Sequence, residues 1–105
     1  MTQSITINEL HDMLSKKVDC QLIDVREIPE YKAVRISGAK IVPLSTIQED
    51  YKRIQKDKPV YIHCGVGKRA EKAREFLAQS GFKDLHVVEG GIKAWIEAGL
   101  PVECG

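Results

Sequence analysis

Short apolar runs alternate along this chain with segments of helical period, and no other feature restricts its fold so much. Gln21–Val25, Val60–His63 and Leu85–Val88 read as strands, and Ala39–Ile41 as a smaller one. Between them lie candidate helices. Thr6 followed by Glu9 has the spacing of a capping box, and Leu10, Met13 and Leu14 repeat at helical intervals, which predicts a first helix of about ten residues. Ile28-Pro29-Glu30-Tyr31 reads as one or two helical turns, and Ser45 with Gln48 repeats the capping-box spacing ahead of a helix running towards Lys56. Ala70, Ala73, Phe76 and Leu77 mark a further helix stopped at Gly81, and Ile92, Trp95 and Ile96 a last one that ends at Gly99 before Pro101. Strands that alternate with helices predict an α/β fold: a mainly parallel central sheet with helices on both faces and ligands bound beyond the carboxyl ends of its strands.

With 105 residues and no linker-like stretch, residues 1–105 are expected to form one domain. Sixteen lysines and arginines against fifteen acids leave a formal net charge of +1, so the global basic footprint of a nucleic-acid binder is missing. Met1-Thr2-Gln3-Ser4-Ile5 lacks the basic flank and apolar core of a secretory leader, and no segment has the run of roughly 20 apolar residues that crosses a bilayer. A cytoplasmic location without membrane contact is the expectation. Cys20, Cys64 and Cys104 are odd in number, far apart and without a C-x-x-C pair, which argues against a disulfide framework or a zinc knuckle.

Cys64 differs from the other two in its setting. It directly follows a strand and opens the loop Cys64-Gly65-Val66-Gly67-Lys68-Arg69, which leads into a helix starting near Ala70. Two glycines let the main chain curl with its N–H groups inward, and a helix start leaves further donors unpaired. Such a loop favours an anion. The nearest one is the cysteine's own thiolate, the nucleophilic form, with Lys68 and Arg69 adding positive charge. Cys20, just ahead of a strand, is expected to pack as a small hydrophobe, and Cys104, next to the last residue, to fray. His63 adjoins Cys64, but successive strand residues point to opposite faces, so the two are not expected to pair. His11 and His86 have no constellation around them, Asp24 on its apolar strand needs a partner for which Arg26 is the nearest candidate, and Trp95 and Gly90-Gly91 read as core and turn.

Nearly the whole chain resembles the rhodanese family of sulfurtransferase domains. Leu22-Ile23-Asp24-Val25-Arg26-Glu27 is similar to the family's early aspartate-x-arginine signature, and Ile36-Ser37-Gly38-Ala39 with Pro43 to the segment that follows it. Cys64-Gly65-Val66-Gly67-Lys68-Arg69 is similar to the active loop, and Glu89-Gly90-Gly91 with Trp95, Gly99 and Pro101 to the closing signature. Val34-Arg35 stands where the family often has glycine-histidine, Ile41 where it often has asparagine and Ala70 where it often has serine. Arg35 therefore adds a cation and Ala70 removes a hydroxyl near the loop.

The resemblance implies a three-layer rhodanese-like domain in which Cys64 takes a sulfane sulfur from thiosulfate or a related donor and passes it to cyanide or a thiol. Gly65 to Arg69 would cradle the persulfide, with Asp24 and Arg26 in support. It implies no metal and no organic cofactor; the partners would be small sulfur donors and acceptors, or a sulfur-relay protein. Two other functions compete. A phosphatase or arsenate reductase of the cysteine-x-five-arginine type has a loop one residue longer, and a non-catalytic interaction module of this fold is found where the cysteine has been lost. Neither a G-x-x-x-x-G-K-[ST] nor a G-x-G-x-x-G nucleotide loop is present.

Overall fold

The computed structural model describes residues 4–105; Met1, Thr2 and Gln3, part of the stretch read above for a leader, lie outside the described residues. Five parallel strands form the central sheet in the order β1-β6-β5-β2-β4: β1 (Ser4–Ile5), β2 (Gln21–Asp24), β4 (Lys40–Ile41), β5 (Val60–His63) and β6 (Leu85–Val88). A separate antiparallel pair joins β3 (Val34–Arg35) to β7 (Glu103–Cys104). Helices α1 (Ile7–Ser15), α2 (Ile28–Ala33), α3 (Ile47–Asp50), α4 (Lys68–Gln79) and α5 (Gly91–Glu97) complete the chain. Among the described residues no helix is long and apolar enough to cross a membrane.

Alternation along the strands fills two cores. Ile23, Val60 and Ile62 pack on one face with Ala70, Ala73 and Leu77 of α4 and Ile47 of α3. Leu22 and Tyr61 pack on the other with Leu10 of α1 and Ile92 and Trp95 of α5. The expected layered architecture is therefore present, with helices on both faces. Each fully buried leucine of this kind, such as Leu10 or Leu77, stabilises the fold by about 1.5–3 kcal/mol. The cap of α1 forms as read: Glu9 N–H donates to Thr6 Oγ1 and Thr6 N–H to the Glu9 carboxylate.

Three local expectations fail. The helix read from Ser45 to Lys56 is broken into a 3₁₀ turn at Leu44–Thr46, the single turn of α3 and a second 3₁₀ turn at Tyr51–Arg53. Ser45 does not cap it, because its hydroxyl donates to Glu27 Oε1 at 2.8 Å instead. Helix α4 begins at Lys68 rather than Ala70, since Gly67 at φ +118° already serves as its N-cap. Cys104 is not frayed: it pairs with Val34, and the Gly105 N–H donates to the Ala33 carbonyl.

Candidate active site

Cys64 lies at the carboxyl end of β5, immediately before the glycine loop, and only 1% of its surface is exposed. The Gly67 N–H donates to its sulfur at 2.9 Å, a contact made by the left-handed backbone that glycine adopts at little cost. The first amides of α4 follow without intrahelical acceptors. A partner for the sulfur must therefore come to the bottom of a narrow ring of backbone.

The loop is fixed from outside by α5. Ile92 N–H donates to the Cys64 carbonyl at 2.9 Å and Lys93 N–H to the Gly65 carbonyl at 3.1 Å. These two carbonyls are thereby committed to α5, while the Gly67 N–H is turned to the sulfur. Gly91 permits the approach, because a Cβ there would fall onto the carbonyl oxygens of Cys64 and Gly65. Sequence reading placed Gly90-Gly91 as a turn only; the structure makes Gly91 a positioning residue for the loop.

Arg69 turns away from an open anion-binding role. Its guanidinium is bidentate to Glu30 at 2.7 and 3.0 Å, and it lies beside Gly65 so closely that an added Cβ would be 3.2 Å from Nη2. Glu30 also accepts the Glu27 N–H, capping α2. The Arg69 hydrogen bonds, aided by that N–H, hold the Glu30 carboxyl down at about 2 from its ordinary 4.5. Glu30 was not found from the sequence; its pairing spans 39 positions and leaves no local signal. Lys68 and Val66 are exposed, and Val66 keeps 57% of its surface at the loop tip.

Asp24 and Arg26 sit below the loop as a buried pair. Arg26 Nη2 donates to Asp24 Oδ2 at 2.8 Å and to the Val34 carbonyl at 2.6 Å, which ties the end of β2 to β3. The structure thus brings Asp24 and Arg26 together. His63 lies opposite Asp24 in the parallel register, its Nε2 3.7 Å from Oδ2, and neither ring nitrogen has a hydrogen-bond partner. Burial pushes its pKa down, so it is held neutral beside the carboxylate. Cys20 is half-buried at the amino end of the sheet, where it lines a cleft of about 200 Å³ with Gln21, Lys40 and Gln55; burial raises its thiol pKa. A second cleft of about 230 Å³ is lined by His11, Leu14, Ile36 and Trp95. No residue of the Cys64 loop lines either. Arg35 pairs with Glu103 across the β3–β7 ribbon. Among the described residues, no group of three or more His, Cys, Asp or Glu converges as a metal site.

Comparison with known proteins bears on the family and the fold. The family model for the Rhodanese-like domain matches residues 6–98. A rhodanese-related protein from Thermoplasma volcanium superposes with a TM-score of 0.87 at 35% identity, covering 96% of this chain and 97% of that one. The uncharacterized protein YqhL of Bacillus subtilis is 39% identical over 75 residues, which are 71% of this chain and 60% of YqhL. The thiosulfate sulfurtransferase GlpE of Vibrio cholerae is 26% identical over 99 residues, 94% of this chain and 92% of GlpE. With the loop, its tether and the parallel sheet all in place, the chain belongs to the rhodanese-like domain family.

Proposed function

We propose that this chain is a sulfurtransferase that carries a sulfane sulfur on Cys64. The observation that carries the reading is the Cys64 sulfur at the floor of the loop, hydrogen-bonded by the Gly67 N–H. Its thiolate attacks the outer sulfur of thiosulfate; a Cys64–sulfur bond forms, the S–S bond of the donor breaks, and sulfite leaves with the electron pair. The loop amides offer hydrogen bonds to the negative charge of the terminal sulfur of the resulting persulfide. Cyanide or a thiolate then attacks that sulfur, leaving with it as thiocyanate or a new persulfide, and the Cys64 thiolate is restored. Thiosulfate as the donor is supported by the likeness to GlpE, which the chain covers almost end to end. A polypeptide of a sulfur relay is a further acceptor in this reading, and a reducing compartment such as the cytoplasm suits it.

Four residues separate Cys64 from Arg69, which favours a single sulfur atom over a tetrahedral phosphate. Intact-mass measurement after incubation with thiosulfate tests the proposal. The native chain gains one sulfur that cyanide removes, and Cys64→Ser gains none. Rapid hydrolysis of an aryl phosphate without sulfur uptake would overturn the assignment.

A further inference from the structure

The loop sequence gives the cationic role to Lys68 and Arg69, yet the charges around Gly65 are arranged otherwise. The Arg69 guanidinium lies against Gly65 on one side and is neutralised there by Glu30, whose carboxylate stays ionised down to about pH 2. On the other side the main chain of Lys93 is bonded directly to the Gly65 carbonyl. Lys93 is exposed, and among the described residues neither it nor Lys68 is in an ion pair. Glu27 accepts from the Ser45 hydroxyl and Glu89 from that of Ser4, neutral donors that leave the carboxylate charges in place. Among the described residues, Lys68 at the end of the loop and Lys93 on the helix bonded to it are thus cations outside any ion pair, whereas Arg69 is paired.

From the hydrogen bond of Lys93 to Gly65 and the bidentate neutralisation of Arg69, we propose that Lys93, acting with Lys68, draws anionic sulfur donors to Cys64 and sets the preference for them over neutral ones. The inference rests on the sulfurtransferase reading for its donor, but its electrostatic content can be measured apart from sulfur transfer. Across roughly 7 Å of water, a unit charge changes the encounter of a monoanion about threefold, and that of a dianion about tenfold. Both effects shrink as salt shortens the screening length from about 10 Å at 0.1 M to about 3 Å at 1 M.

The test compares alkylation of Cys64 by iodoacetate, an anion, with alkylation by neutral iodoacetamide, followed at the Cys64 peptide by mass spectrometry at low salt. The neutral reagent reports how much thiolate is present, so the ratio of the two rates isolates attraction. Lys93→Gln keeps the backbone N–H that holds Gly65. It should lower the ratio about threefold and lower kcat/KM for thiosulfate about tenfold, with Lys93→Arg restoring both. Lys83→Gln, at the opposite end of the sheet just ahead of β6, should change neither. A ratio unmoved by Lys93→Gln, or moved equally by Lys83→Gln, would overturn the inference. A native chain with a Lys93-dependent ratio that takes up no sulfur would sink the transferase reading and uphold this one. Sulfur uptake with a ratio indifferent to Lys93 would do the reverse.

Discussion

Two carboxylate–arginine pairs lie within a few residues of the Cys64 loop, and they do different work. Asp24 and Arg26 are two positions apart, with side chains 0% and 4% exposed, and they join β2 to β3 beneath the site. Glu30 and Arg69 are 39 positions apart, with side chains 40% and 36% exposed, and they join α2 to the loop itself. Burial is what separates them. Removing one partner of the first strands an ion away from water, whereas the second is open to solvent that screens and replaces its attraction. The first is framework, and the second sets the charge the loop presents.

The contrast breaks most readily at the buried pair. Arg26→Ala leaves Asp24 uncompensated and should lower unfolding free energy by about 3–5 kcal/mol in urea titration; a loss below ~1 kcal/mol would show that water reaches Asp24 and that the pairs are alike. Gly91→Ala asks whether Glu30–Arg69 alone can hold the loop. Its Cβ would meet the carbonyls of Cys64 and Gly65 at a residue with φ +59°, so a stability loss of about 1–3 kcal/mol is expected, with slowed sulfur uptake. Unchanged uptake would mean that the α5 tether is dispensable. Glu30→Gln should cost less than about 1 kcal/mol, because the pair is exposed. It should also bare Arg69 and raise the iodoacetate-to-iodoacetamide rate ratio about threefold.

The smallest effect is the pH dependence of the exposed pair. The Glu30 carboxyl is held at about 2 against 4.5, so its contribution is complete above roughly pH 4.5 and is lost as pH falls towards 2. The stability difference between the native chain and Glu30→Gln should close over that window. His63 acts in a higher one. Its depressed pKa means the unfolded chain takes up its proton first, so stability begins to fall as pH drops below about 6.5. Replacing His63 with Gln should flatten that upper limb without touching the lower.

What could be read from the sequence follows the same division between local and distant. The Thr6–Glu9 cap, the strands β2, β5 and β6 and the Asp24–Arg26 pair all arise within a few residues, and each leaves a periodic or spacing signal. β1, β3 and β7 are two residues long, too short to show alternation, and exist because a partner strand supplies their hydrogen bonds. Ser45 has the spacing of a cap, but Glu27, 18 positions earlier, takes its hydroxyl. At the site, the position of Cys64 was legible from the strand and glycines around it. Glu30, Gly91 and Lys93 were not, because only folding brings α2 and α5 to the loop.

The attachment of the Cys64 and Gly65 carbonyls to α5 has a consequence for redesign. The first half of the ring is anchored, so an extra residue cannot be absorbed there. The tip at Val66 is exposed and lies beyond the two carbonyls tied to α5. An insertion at Val66 is thus the route by which this scaffold could be enlarged to admit a tetrahedral oxyanion, while the thiol stays where it is.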